Sequence, residues 1–306
     1  IAGGARYRAH KGRHLVTMKT EHKAVTDVFE RLVQDGFEVT WVEPRSDGVL
    51  DASDLAVALR DDTQLVSIML VNNETGVIQD VDELGSMCRE RDILFHVDAA
   101  QAVGKVPVDL SKLPVDLMSM TAHKCYGPKG IGALYIADRP ACHVEPLLFG
   151  GGQQRRIRPG TLPTELIAGF GMAAEIAADR IDTDLAHLRE LRRILWNGIG
   201  QIDGLLLNGH HDGFPGILNV SVEGVDGESL LLDLEPLLVA TGSACNSKTQ
   251  EPSYVLRALG RTDLEAQSAI RFSFGRQTTV ADIEFAAARY RAAVERLRDL
   301  APGVAA

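Results

Sequence analysis

The chain has 306 residues, 45% hydrophobic and 24% charged, a globular balance that excludes disorder, collagen-like repeats and disulfide scaffolds. At about 150 residues per domain this length predicts two domains. Against 42 Asp and Glu stand 32 Lys and Arg, a net charge of −10, so no overall positive field exists to hold nucleic acid or an anionic membrane. The longest apolar stretches, such as Leu166 to Ala174, fall short of the roughly 18 residues a bilayer demands. The four cysteines, Cys88, Cys125, Cys142 and Cys245, form no C-x-x-C pair. They are too sparse for a disulfide framework, which predicts a reducing, cytoplasmic setting. Ile1 to Arg6 carry neither an initiator Met nor a signal-peptide pattern, so this end is expected to be cut from a longer chain.

Short apolar runs at His14 to Met18, Glu38 to Val42, Gln64 to Val71, Ile93 to Val97, Leu117 to Met120 and Ile131 to Ile136 read as strands. Between them Lys23 to Gln34 places Val25, Val28, Phe29, Leu32 and Val33 on one helical face, and Val81 to Arg91 reads as a shorter helix. Strands apolar on both faces and separated by helices predict a mostly parallel sheet covered on both sides, with ligands at the carboxyl ends of its strands. From Glu165 to about Ile202 the pattern is continuously helical and is expected to run between two domains. An apolar strand at Gly213 to Val222, two helices and a strand around Ile270 to Phe274 predict a smaller α+β domain. The expected division is 1–181 and 182–306.

The densest chemical signal is His96-Val97-Asp98-Ala99-Ala100-Gln101, followed by Thr121-Ala122-His123-Lys124. An Asp and a Lys ending two buried strands both point into the carboxyl-end crevice. Pyridoxal phosphate uses such a pair: the lysine forms a Schiff base and the carboxylate faces the pyridine nitrogen. Read singly, Asp98 is a cap after a strand, Lys124 a surface lysine, and His22 an exposed histidine opening a helix. Gly150-Gly151-Gly152 with Arg155, Arg156 and Arg158 reads as a solvated hinge rather than an anion loop. Cys88, Cys125 and Cys142 read as inert or neutral, whereas Cys245 sits in the small, polar Gly242-Ser243-Ala244-Cys245-Asn246-Ser247-Lys248, where a thiol is accessible. His210 and His211 lack any paired Cys spacing, and no metal is expected.

Taken together, the sequence resembles the cysteine desulfurase family, the class V aminotransferase-like branch of the fold-type I pyridoxal-phosphate enzymes. The residues that carry this are Thr20-Glu21-His22-Lys23-Ala24, Val71-Asn72-Asn73-Glu74-Thr75-Gly76, the Asp98 and Lys124 blocks, Arg158-Pro159-Gly160-Thr161, and Gly242 to Cys245 continuing to Glu251-Pro252-Ser253-Tyr254. The fold implied is an α/β large domain with a mostly parallel sheet plus a smaller C-terminal α+β domain carrying the cysteine loop. The resemblance implies that Lys124 is the Schiff-base lysine, Asp98 the pyridine partner, Gln101 a donor to the phenolic oxygen and His22 the imidazole on the ring. It assigns phosphate contacts to Thr121, His123 and, across a homodimer, Thr161, and makes Asn73 the amide orienting substrate and cofactor. Arg271 grips the substrate carboxylate; an Arg within a strand is expected to find a buried anionic partner. Cys245 takes the sulfur of L-cysteine as a persulfide, leaving L-alanine.

Sulfur then passes to an acceptor protein, an iron–sulfur scaffold or another carrier. Selenocysteine lyase uses the same lysine and cysteine and is the near alternative. The family's N-terminal arm and its Gly-Ala-Thr phosphate loop are expected to be missing, which makes a non-catalytic remnant the other rival. Retention of Lys124, Asp98, His22 and Cys245 favours a piece of an active enzyme. The end at Ala306 lacks the tail that scaffold-binding members extend, so scaffold docking is not expected.

Overall fold

The computed structural model describes residues 1–241 and 251–300, and the chain divides into two compact units. The first comprises 1–44, 50–72 and 79–181, the second 45–49, 73–78 and 182–306. Among the described residues no helix is long and apolar enough to cross a membrane.

In the first unit the order is α1 (Ala2–Tyr7), β1 (His14–Met18), α2 (Lys23–Gln34), β2 (Glu38–Val42), α3 (Ala52–Ala58), β3 (Thr63–Met69), α4 (Val81–Glu90), β4 (Leu94–Asp98), β5 (Leu117–Thr121) and β6 (Gly132–Ile136), followed by the start of α5 (Thr164–Ile199). The six strands lie in the order β2-β1-β3-β4-β5-β6. All neighbours are parallel except β5 and β6. β1, β3 and β4 are buried along their whole length, as expected of strands covered on both faces. The sequence pattern does not show α1 and α3: α1 is Gly- and Ala-rich, and α3 buries only Leu55.

α2 shows how local sequence fixes an element. Val25, Phe29 and Leu32 form its buried stripe and join Leu15, Leu65, Leu94 and Leu117 in one core. Gly36 ends it at φ +86°, the left-handed conformation glycine adopts without a Cβ penalty. The Phe37 N–H returns to the Leu32 carbonyl at 3.0 Å, closing a Schellman turn.

Two buried histidines bridge this sheet in the same way. His96 on β4 joins Ser67 Oγ on β3 through Nδ1 and Ser119 Oγ on β5 through Nε2, both at 2.8 Å. His14 on β1 joins Thr63 on β3 at 2.7 Å and Thr40 on β2 at 2.8 Å. Burial lowers the pKa of both rings, so each stays neutral and uses one nitrogen as donor and one as acceptor.

The second unit contains the rest of α5, then β7 (Leu205–Leu207), β8 (Ile217–Val222), α6 (Gly227–Asp233), β9 (Ala240–Thr241), α7 (Tyr254–Ala258), α8 (Asp263–Gln267), β10 (Ile270–Ser273) and α9 (Val280–Leu300). Its sheet is antiparallel in the order β7-β8-β10-β9. Leu191, Leu195 and Ile199 of α5 pack with Leu218 and Val220 of β8, Phe272 of β10 and Tyr290 of α9. Segment 73–78 is stitched into this unit: Phe214 N–H donates to the Gly76 carbonyl at 2.7 Å and Asn219 Nδ2 to the Glu74 carbonyl at 3.0 Å.

Tyr290 is fully buried, edge-on to Phe272, and its hydroxyl has no hydrogen-bond partner among the described residues. A buried unsatisfied hydroxyl costs about 1–3 kcal/mol. Tyr290→Phe keeps the ring and removes that cost, so stability should rise by about 1 kcal/mol and the melting temperature by about 2–4 °C. Thermal unfolding checks this, and a fall in melting temperature would contradict it.

Candidate active site

Asp98 is the last residue of β4, facing Met69 of β3 and Ser119 of β5 in register. Its carboxylate is buried and accepts the Ala100 N–H at 2.9 Å. Past the end of β5, a single 3-10 turn (His123–Cys125) carries Lys124, which is half-buried. Cys125 is buried beside it and donates Sγ–H to the Ala122 carbonyl at 3.2 Å, fixing the turn. Burial raises the Cys125 pKa, and Cys88 and Cys142 are likewise buried, their thiols pushed up to about 12 by burial. Gly104, at φ +75°, lets the segment after Gln101 approach this turn: a Cβ there would lie 2.8 Å from Cys125 Cβ.

His22 opens α2 as its N-cap, its Nδ1 accepting the Ala24 N–H at 3.1 Å. It is half-buried rather than the exposed histidine that its place at a helix start suggests. Burial lowers its pKa first and the Lys124 charge next, opposed by Asp98 and Asp27, so the ring is neutral near pH 7. With Nδ1 accepting, its hydrogen resides on Nε2. Lys124 and Asp98 thus both act on this imidazole.

Gln101 accepts from Lys105 through Oε1, which leaves its amide nitrogen to donate. Thr121 Oγ1 and His123 Nδ1 lie 2.8 Å apart, two polar groups on the Lys124 turn. Thr161 is exposed, and Gly150 and Gly151 have φ +131° and +65° in an exposed stretch. Asn73 and Arg271 meet in the second unit, where Arg271 Nη1 donates to the Asn73 carbonyl at 2.9 Å. The expected anionic partner of Arg271 is thus replaced, in direct contact, by a carbonyl, with the Glu74 charge acting from nearby. Arg271 Nε and Asn73 Oδ1 are buried with no hydrogen-bond partner among the described residues, which leaves donor and acceptor capacity for a polar ligand. Cys245 lies outside the described residues.

The profile of the family Aminotransferase class-V matches residues 1–285. The chain is 52% identical to the cysteine desulfurase IscS of Enterobacter sp. (strain 638) over 303 residues, 99% of this chain and 75% of that protein. It is 53% identical, with the same coverage, to the protein of that name from Salmonella typhi. The chain belongs to the cysteine desulfurase family. Among solved structures a NifS-like protein superposes with a TM-score of 0.87 at 33% identity, covering 96% of this chain and 78% of that one. DndA from Streptomyces lividans gives 0.79 at 40%, covering 89% and 78%. Family members are pyridoxal-phosphate enzymes. The donors here fit that group: an amine on a fixed turn, a buried carboxylate, a neutral imidazole on which both charges act, and paired polar groups beside the lysine.

In the sequence Glu21 and Glu74 stand out only as parts of the blocks around His22 and Asn73. Glu21 is fully buried, and its carboxyl accepts the Met69 N–H at 2.5 Å. Burial raises its pKa well above 4.5, and the neighbouring Asp98 charge adds to the rise. A carboxyl between two buried strand ends is the available signal, but its partner, a backbone N–H, leaves no mark in sequence. Because the folded pKa is raised, the stabilisation held by neutral Glu21 is complete below its unfolded value of 4.5 and is lost as pH climbs to the folded value. Glu21→Gln keeps an acceptor for Met69 but cannot ionise. In urea unfolding the variant should gain on the parent as pH rises above 4.5, by up to about 1.4 kcal/mol per pH unit. A difference that does not change with pH would contradict the assignment.

Proposed function

We propose that this chain is the catalytic part of a cysteine desulfurase that takes sulfur from L-cysteine, leaves L-alanine and carries the sulfur as a persulfide on Cys245. The observation that carries the reading is the convergence of the Lys124 and Asp98 charges on the His22 ring at the carboxyl ends of β4 and β5. When bound, pyridoxal phosphate supplies an electron sink for charge released at the substrate α-carbon.

The chain's own residues do the rest. Lys124 supplies the amine that holds the cofactor aldehyde, and Asp98 the carboxylate that keeps a proton on the ring nitrogen. His22 would hold the ring and offer its Nε2–H, while Gln101 would donate its amide N–H to the phenolic oxygen. Thr121 and His123 hold the phosphate, joined by Thr161 from the partner of a homodimer. Exposed apolar side chains at Leu148, Phe149 and Met172 support an association of this kind. Arg271 forks onto the substrate carboxylate and Asn73 orients it. The Cys245 thiolate attacks the substrate sulfur: the Cβ–S bond breaks, an S–S bond forms, and the electron pair left on carbon is protonated to give alanine. The persulfide then passes to an acceptor protein, an iron–sulfur scaffold or another sulfur carrier, in the cytoplasm.

Replacing only the acceptor thiol separates this chemistry from cofactor binding. In the Cys245→Ser holoprotein the absorption band of bound pyridoxal phosphate should persist and still shift on addition of cysteine, while sulfide release falls at least about 100-fold, as expected for loss of a nucleophile. Release within a fewfold of the parent rate would show that Cys245 is not the sulfur acceptor.

A further inference from the structure

Glu74 follows Asn73 and is held from two sides. Ser253 Oγ donates to its Oε2 at 2.5 Å, while Asn219 Nδ2 grips its backbone carbonyl at 3.0 Å. Ser253 is itself fixed, because its Oγ accepts the Leu256 N–H as the N-cap of α7. Asn219 is fixed by Asn208, whose Nδ2 donates to its Oδ1 at 2.9 Å. The carboxyl is therefore a buried group on a rigid mount, one residue from the carbonyl that Arg271 uses as its anchor. None of the roles above employs it.

We propose that Glu74 is a proton-linked positioning residue for Arg271, neutral while the guanidinium holds a substrate carboxylate and ionised when it does not. The inference rests on the reading of Arg271 as the carboxylate grip. A guanidinium beside a buried carboxyl can satisfy one anion fully. An ionised Glu74 competes for the Arg271 charge and repels an incoming carboxylate, whereas a protonated Glu74 leaves that charge to the substrate. Burial raises the Glu74 pKa to about 7, against the opposing effects of the Ser253 hydrogen bond and the Arg271 charge. Arg271, from β10, is a charged group that acts on the carboxyl. Arrival of a second anion at Arg271 removes that opposition, so carboxylate binding must draw a proton onto Glu74.

The test compares two amines that differ in the carboxylate, L-alanine and ethylamine, by spectral titration of the holoprotein. Both stay protonated over pH 6 to 8, so the ratio of their affinities isolates the carboxylate. In the parent, that ratio should fall about tenfold from pH 6 to pH 8, the change one linked proton near 7 produces. In Glu74→Gln it should stay constant within about twofold. Arg271→Leu should lower the ratio at every pH; if it does not, the grip reading fails and this inference with it. If Arg271→Leu lowers the ratio but the parent shows no pH dependence, or Glu74→Gln retains it, Glu74 alone is excluded. A measurement on the parent covers a Gln variant that does not fold: calorimetry at pH 7 in buffers of different ionisation enthalpy. L-alanine should take up about half a proton more than ethylamine, and equal uptake would overturn the proposal.

Discussion

Everything at the carboxyl ends of the first sheet depends on the buried His96 bridge. A neutral imidazole removed from water needs a partner for each nitrogen, and the ones it finds are Ser67 on β3 and Ser119 on β5. A slip of one residue in either strand would turn that serine to the opposite face and orphan a buried ring nitrogen. The bridge therefore fixes the register of β3, β4 and β5, with His96 on the same face of its strand as Asp98. The position of the Asp98 carboxylate is thus set by a polar constraint inside an otherwise apolar sheet. The same device at His14 ties β1 to β2 and β3, and β1 leads into Glu21 and His22.

Three buried carboxyls illustrate how environment separates chemically similar groups. Glu21 and Glu74 are driven toward the neutral form by burial, Glu21 with added pressure from Asp98 and Glu74 with relief from Arg271. Asp98 has a backbone N–H at 2.9 Å and acts as a charge on both Glu21 and His22. Two neighbouring carboxyls in one buried place cannot both carry charge cheaply. Glu21 absorbs that conflict as a neutral acceptor for Met69.

The strands and the α2 boundaries were legible because their signals are local: apolar runs between polar breaks, and a helical stripe from Val25 to Leu32 closed by Gly36. The family could be read because the Asp98, Lys124 and Asn73 blocks are short and ordered. What the sequence hid is tertiary. α1 and α3 are brief and carry little apolar periodicity. The assignment of 73–78 to the second unit depends on hydrogen bonds from Phe214 and Asn219, distant in the chain. The partner of Arg271 is a carbonyl, and every residue has one, so no residue type advertises it.

The central claim is that one lysine, on the turn after β5, is the residue that holds the cofactor. Borohydride reduction of the holoprotein followed by peptide mass mapping tests it most directly. The account predicts a pyridoxyl phosphate adduct on Lys124 alone; an adduct on Lys105 or Lys129, with Lys124 unmodified, would contradict it.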